Sequence, residues 1–232
     1  MIGIVVPVYY EDENIENLLN EIERKIKNSK KVFIVYDVDD DPTVSVVSNL
    51  IGRYSFEIKL VKNKYGRGVA KAIKTGLEVS DTDAVLVMMA DLSDDLSIID
   101  KMYEMIKSGY DIVCGSRYMK GGKQIGGPLI KKTISRLAGL SLYYLTAIPT
   151  HDITNSFKMY NKSFLNQITI ESDGGFEIGM EICVKAFVIG KKIGEIPSIW
   201  RDRTKGKSKF KILKWLPKYL RWYFYAFKKF LK

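Results

Sequence analysis

Histidine and cysteine are almost missing from this chain of 232 residues: His151 is the only imidazole, and Cys114 and Cys183 are the only thiols. Neither thiol stands at metal-ligand spacing, and two cysteines so far apart point to a reducing, cytoplasmic setting without structural disulfides. His151 without His or Cys partners makes no metal site and is expected in a loop or a supporting role. Long apolar runs are missing too. The longest uncharged stretch, 137–151, contains Pro149 and falls short of the roughly 18–20 apolar residues that cross a bilayer. The first ten residues lack a basic leader and are interrupted by Pro7, so they read as a strand rather than a signal peptide. Internal repeats, low-complexity linkers and recognised nucleic-acid modules are also lacking, and no nucleic-acid partner is expected.

Acidic residues are missing from one region only. Residues 203–232 hold eleven Lys or Arg and no acid, leaving 26 of the 37 basic residues against all 27 acidic ones, a balance of minus one elsewhere. The net charge of +10 therefore belongs to the tail, and an all-basic tail points to an anionic partner. An apolar content of 46% is enough to fill a core.

The stretch 84–95, AVLVMMADLSDD, organises the reading. Its continuous apolar run fits a strand buried on both faces of a parallel sheet, with Asp91 emerging at the carboxyl end. Ligands of open α/β sheets bind outside those ends, and a carboxylate there suits a hard divalent cation. Equally, Asp91, Ser93, Asp94 and Asp95 suit a turn that caps a helix starting near Ser97. Strand and helix patterns alternate around this stretch: strands at 2–8, 32–36, 58–61 and 111–115, helices at 13–27, near 44–51, from 69 and from 98, and a late strand at 153–160. The class is α/β with a mainly parallel sheet. Gly66-x-Gly68 before a helix offers either a phosphate cradle of backbone amides or a tight strand-to-helix turn. In an expected helix at 176–188, Glu177 and Glu181 read either as catalytic bases or as structural carboxylates.

Taken in order, several motifs resemble glycosyltransferase family 2, within it the polyprenyl-phosphate hexosyltransferases such as dolichol-phosphate mannose synthases. They are Val5-Val-Pro-Val-Tyr9-Tyr-Glu11-Asp-Glu-Asn14, Asp37 after the second strand, Gly66-Arg-Gly68-Val-Ala70, Ala90-Asp91-Leu92, and Gly115-Ser-Arg117-Tyr118 with Lys120-Gly-Gly122. Asn155-Ser-Phe157 and Arg203-x-x-Gly206-x-Ser208-Lys209-Phe210 complete the set. The resemblance implies a GT-A type three-layer fold over residues 1–212 and an inverting hexosyl transfer from a GDP-mannose or UDP-glucose type donor to a polyprenyl or dolichyl phosphate, with Mg2+ or Mn2+ as cofactor. It implies that Pro7, Tyr9, Glu11, Asp37, Gly68 and Ala90 line the nucleotide-sugar site, and that Asp91, with Ser93 or Asp94, holds the metal. Arg203 would reach the diphosphate, while Arg117, Lys131 and Ser135 would face the acceptor phosphate; Asp91, Arg117 and Arg203 form the catalytic set.

Two positions depart from the family pattern. Met89-Ala90-Asp91 stands where Asp-x-Asp is usual, and a thioether is a poor ligand for a hard cation; Mg2+ nevertheless manages with one or two carboxylates plus substrate phosphates. Lys131 stands where an arginine is expected, keeping the charge without the bidentate fork.

Residues 213–232 interleave a basic stripe at 214, 218, 221, 228 and 232 with aromatic residues, among them Trp222, Tyr223, Phe224, Phe227 and Phe230. The pattern predicts a helix from Pro217 onward, lying in a membrane interface on the cytoplasmic face or docked on the catalytic domain.

Overall fold

The computed structural model describes residues 1–202 and 212–231, the side chains of residues 212–214 excepted. Alternating patterns of buried strands and amphipathic helices produce β1 (Ile2–Val8), α1 (Asp12–Lys25), β2 (Lys30–Tyr36), α2 (Pro42–Leu50), β3 (Glu57–Lys62), α3 (Val69–Val79) and β4 (Ala84–Val87). A short 3-10 turn then leads into α4 (Ile99–Lys107) and β5 (Ile112–Ser116). The second half contains β6 (Lys123–Ile125), α5 (Leu129–Thr146), β7 (Lys158–Asn161), α6 (Lys162–Leu165), α7 (Glu177–Val188), β8 (Ile193–Pro197), β9 (Ile199–Arg201) and α8 (Ile212–Tyr225).

Seven strands form one sheet in the order β3-β2-β1-β4-β7-β5-β8, while β6 and β9 make a small parallel pair beside it. All pairings in the large sheet are parallel except those of β7, which runs antiparallel to both β4 and β5. The pleat sends alternate side chains to opposite faces. Ile4, Val6 and Ile34 meet Ile15, Leu18 and Leu19 of α1 and Met102 of α4, whereas Val5, Val35 and Val85 meet Ala72 and Ile73 of α3 and Ile182 of α7. The result is three layers, helices on both sides of a mainly parallel sheet, as the sequence predicts. Chain order reverses at β1, which lies between β2 and β4, and this switch point opens a crevice outside the carboxyl ends of those strands.

Three expectations need correction. The late strand starts at Lys158 rather than 153, because Asn155 turns its amide to the Gly115 carbonyl (2.8 Å) and its oxygen to the Phe157 amide instead of extending the ladder. Helix α8 starts at Ile212, so Pro217 lies inside it. Trp222, expected among membrane-directed aromatics, is instead 1% exposed; its indole N–H donates to Ser172 Oγ (3.1 Å), and Ala226 is buried beside it. The basic stripe helps to fasten the tail, through Lys218 to Asp173 (2.6 Å) and Arg221 to Glu171.

Helix α5 passes close over the loop that follows it. Gly139 makes this approach possible, since an added methyl would sit 2.2 Å from the His151 carbonyl oxygen. His151 is itself fixed, stacked on Tyr143 at 3.9 Å with Nδ1 2.5 Å from Glu195 Oε1, the supporting role expected of it. A backbone oxygen cannot yield as a flexible side chain does, so Gly139→Ala should cost about 1–3 kcal/mol through overpacking, outweighing the gain in helix propensity. Thermal unfolding checks this: an unchanged or higher Tm would show that α5 is free to lift.

Candidate functional site

The crevice is built from the residues just past β1, β2 and β4. After β1, Tyr9 and Tyr10 are exposed, and Tyr10 takes a left-handed conformation (φ 58°), which costs a bulky residue energy and needs outside support. That support comes from α2's start: the Tyr10 amide donates to Asp41 Oδ2 and the Glu11 amide to Thr43 Oγ1, each at 2.9 Å. Pro7 is buried in β1 opposite Val35, and Glu11 accepts from the Asn14 side chain (2.8 Å) at the start of α1. After β2, Asp37 accepts from Asn63 Nδ2 (2.7 Å) and from the Gly68 amide (2.9 Å). The Gly68 amide, one candidate phosphate donor, is thus used by a carboxylate, and the tight-turn reading describes it. Asn63 is the unrecognised organiser of this edge, since it also donates to the Gly66 carbonyl (2.7 Å) and accepts from Thr75 (3.0 Å).

Past β4 the chain forms an acidic loop. Asp91 Oδ1 accepts from the Ser93 amide (3.2 Å) and hydroxyl (2.6 Å), and Asp95 caps the following turn through Ser97. The turn-and-cap reading is therefore correct for the local backbone, and it leaves Asp91 and Asp94 side by side. Asp94 is buried and accepts from the Met89 amide at 3.4 Å. Burial, then the charge of Asp91, raises Asp94 to about 7. Ala90 is buried, and Met89 packs partly against the core shared by α3 and α7. Among the described residues no group of three or more His, Cys, Asp or Glu converges as a metal site.

A cationic region lies next to this loop. Arg117, just past β5, donates from Nε to Asp152 Oδ2 (2.7 Å) and from Nη2 to Asp152 Oδ1 (2.9 Å), and its backbone amide donates to the same carboxylate (3.0 Å). Burial alone would neutralise both groups. Instead, the Asp152 carboxylate holds Arg117 above its ordinary value, and against its own burial Asp152 is held below the usual carboxylate range by Arg117. Arg117 Nη2 also reaches Ser135 Oγ on α5 (3.1 Å), which bonds Tyr118 (3.0 Å) and Thr154 (2.5 Å). Lys158, fully buried, donates to the Ile153 carbonyl (3.0 Å) and to that of Asn155, holding the loop that carries Asp152 and Thr154.

Arg117 lines a cavity of about 430 Å³ together with Tyr118, Lys123, Gln124, Lys132 and Arg136. The structure thus brings Arg117 and Ser135 together as expected, but Lys132 and Arg136, not Lys131, line the cavity on α5. Arg203, Ser208, Lys209 and Phe210 lie outside the described residues. Glu177 accepts from the Gly174 (3.1 Å) and Gly175 (2.7 Å) amides, and Glu181 from the Glu171 (2.6 Å) and Ser172 (2.7 Å) amides and from Lys185 (2.7 Å). Both are structural carboxylates. The cavity and the acidic loop are tied together by the Arg201 amide of β9, which donates to the Ser93 carbonyl (3.0 Å), while β9 pairs with β6 at the cavity rim.

Breaking a buried ion pair from one side costs about 3–5 kcal/mol, so Asp152→Asn should destabilise the protein by that order at pH 7. Because the native pKa of Asp152 is depressed, its contribution is complete above the unfolded carboxylate value of about 3.9 and is lost as pH falls through the native one. Denaturant unfolding of both proteins should show the gap closing below about pH 4. A gap that persists undiminished at lower pH would show that the charge of Asp152 is not what stabilises the loop.

Comparison with known proteins connects this geometry to a family. The chain is 31% identical over 217 residues to a dolichol-phosphate mannosyltransferase of Pyrococcus furiosus, covering 90% of this chain and 59% of that protein, so it spans little more than half of that relative's length. It is 24% identical to a dolichyl-phosphate hexose transferase of Haloferax volcanii, covering 90% of this chain and 86% of the other. Among solved structures, glucosyl-3-phosphoglycerate synthase from Mycobacterium tuberculosis, in complex with Mn2+, uridine diphosphate and glucosyl-3-phosphoglycerate, superposes with a TM-score of 0.68 at 13% identity. That match covers 99% of this chain and 79% of the other, and shows the GT-A-like fold. Residues 3–169 match the family model described as glycosyl transferase family 2, and the chain belongs to that family.

Proposed function

We propose that the chain transfers a hexosyl group from a nucleotide-diphosphate sugar, of GDP-mannose or UDP-glucose type, to a polyprenyl or dolichyl phosphate, with inversion at the anomeric carbon. The observation that carries this reading is the meeting of opposite charges at one edge of the sheet. The acidic loop of Asp91 and Asp94 lies near enough to the Arg117 cavity for the Arg117 charge to act on Asp94. A phosphate monoester suits the cationic side, and the names of the Pyrococcus and Haloferax relatives support a lipid-linked one. Lys132 and Arg136 supply charge there, Ser135 and Tyr118 supply hydroxyls, and Arg117 is oriented by Asp152. The second ionisation of such a phosphate lies near pH 6, so the nucleophilic oxygen is already an anion at neutral pH and no protein base is required. A carbohydrate acceptor is less well served, because Glu177 and Glu181 are both committed to backbone amides.

On the donor side, Tyr9, Glu11 and Asp37 border the crevice where a nucleotide would lie. The residues of the acidic loop fit a divalent cation such as Mg2+ or Mn2+. Asp91, Ser93 and Asp94 offer oxygen donors alone, and Asp94, raised first by burial and then by the charge of Asp91, is a carboxyl whose ionised form a hard cation would favour. A bound cation would neutralise charge on the departing diphosphate. Met89 adds no hard donor, so the diphosphate itself must complete the coordination. The two cysteines, both free, support a reducing cytoplasmic location, with the enzyme working at the membrane surface where the acceptor resides.

A screen of nucleotide sugars against acceptors, with and without Mg2+ or Mn2+, tests the proposal. Transfer to lipid phosphate but not to free sugars is expected. Donor binding without turnover on any acceptor would instead assign a non-catalytic role. Asp91→Asn should lower turnover about a hundredfold or more with the melting temperature preserved, whereas unchanged turnover at saturating Mg2+ would remove Asp91 from the site.

A further inference from the structure

Asn63, just past β3, is buried and has every hydrogen-bonding position of its side-chain amide filled. Its nitrogen donates to Asp37 Oδ1 and to the Gly66 carbonyl, each at 2.7 Å. Its oxygen accepts from the Thr75 hydroxyl (3.0 Å) and the Tyr65 amide (3.2 Å). These partners fix which way the amide points. The Asp37 carboxylate and the Gly66 carbonyl only accept, and the Tyr65 amide only donates. The Thr75 hydroxyl accepts from the Lys64 amide (3.3 Å), which leaves its own proton for Asn63. The backbone amide of Asn63 donates to the Tyr36 carbonyl (2.8 Å), tying the end of β3 to β2 immediately before Asp37. Gly66 (φ 80°) and Gly68 (φ 133°) complete the arrangement. Their conformations, open to few other residues, turn the Gly66 carbonyl towards Asn63 and the Gly68 amide towards Asp37 Oδ2 (2.9 Å).

We infer that Asn63 is a positioning residue that sets affinity for the nucleotide by holding the Asp37 carboxylate in place, a step that rests on the donor-side reading in which Asp37 borders the nucleotide. A carboxylate offers about four acceptor positions on its two oxygens, and among the described residues one on each is taken, by Asn63 on Oδ1 and by Gly68 on Oδ2. The second position on each oxygen is left for an N–H or O–H donor of a nucleoside, and it keeps its aim only while the carboxylate cannot rotate. Asparagine suits this place in a way that similar side chains do not. Aspartate would set a second carboxylate against Asp37, serine is too short to reach Asp37, Thr75 and Gly66 together, and glutamine adds a methylene to a buried site. Thr75, buried on α3, orients Asn63 in turn, so a chain of buried side chains leads from that helix to the edge of the crevice. The Gly66-x-Gly68 pair thereby has a use beyond its turn: it supports a carboxylate and is not a cradle for phosphate. Other charged groups at this edge have partners of their own, Lys62 with Asp39 and Lys64 with Glu78, while Lys74 lies over the Tyr65 ring. Asp37 is therefore the carboxylate that an acid at position 63 would meet.

Calorimetric titration of the full chain with GDP and with UDP, each with Mn2+, tests this, the tighter of the two serving for the variants. Asn63→Ser should weaken binding about tenfold, because a hydrogen bond to a charged group is lost, and should raise the donor KM with kcat little changed. In an Asp37→Ala background the same substitution should cost less than about twofold, since Asn63 then has no carboxylate to hold. Asn63→Asp supplies a signature that general loosening would not give. Two carboxylates in contact repel when both are ionised, whereas one shared proton restores a bond like that of Asn63. The affinity of this variant relative to wild type should therefore fall by more than about tenfold from about pH 5.5 to about pH 8.5. Thr75→Val removes only a hydroxyl and should weaken binding about threefold, which provides a second route if a charge at position 63 unfolds the chain. Equal losses from Asn63→Ser with and without Asp37 would overturn the inference and leave Asp37 in the donor site. Asn63→Ser and Thr75→Val proteins that bind as wild type does would have the same meaning. An Asp37→Ala protein that binds as wild type does would remove Asp37 from the donor site and the inference with it, and a wild type that binds neither nucleotide would overturn the donor assignment as a whole.

Discussion

The buried pair of Arg117 and Asp152 is the constraint on which the second half of the molecule depends. Removing two charges from water costs several kcal/mol per ion, and their attraction offsets this only when every remaining donor and acceptor is satisfied. Here the satisfaction is shared among three segments: Arg117 sits at the end of β5, Asp152 and Thr154 in the loop before β7, and Ser135 on α5. None of the three can shift without leaving a polar group stranded. The pair is better understood as fixing which segments meet than as a source of net stability. Lys158 adds a second buried cation under the same loop, and its charge reinforces the ionised state of Asp152.

Legibility follows burial pattern. In the first half, strands buried on both faces and helices with a single apolar stripe leave plain periodicities, and β1 to β5 fall within one or two residues of expectation. The second half is harder for physical reasons. The apolar residues of α5 face outward, so no inward stripe marks it, and residues 137–151 register only as an uncharged run too short to span a membrane. β7 is four residues long and follows a loop fixed by side-chain hydrogen bonds, which no periodicity reports. Of the candidate site residues, Asp91 and Arg117 stand in recognisable motifs, whereas Ser135 is named only by the resemblance. Asp152 belongs to no motif, although one signal marks it: it is the first acid after Asp111, ending a long basic stretch. Lys132 and Arg136 line the cavity beside Ser135 but stand in none of the motifs, because motif order names residues without saying which helix face turns to the cavity.

Helix α5 carries two incompatible surfaces, and its small residues allow this. Gly139 lets the backbone rest on the His151 carbonyl, so the helix needs little apolar area to be held in place. Its large side chains are then released to the outside, and its cations to the cavity. A helix anchored mainly by aliphatic packing would have no such side chains to spare.

The antiparallel β7 has a consequence for how the chain is made. β4 and β5 follow one another in sequence but do not pair; β7 lies between them. Asn161, the end of β7, comes 74 residues after Val87, the end of β4. During synthesis at about 5–20 residues per second, the inner edge of β4 therefore waits roughly four to fifteen seconds for its partner. Throughout that interval the nascent sheet ends in an open, apolar strand, the kind of edge that recruits unwanted pairing. The four-residue length of β4 keeps that edge short, and so limits what a neighbouring chain on the same message has to grip.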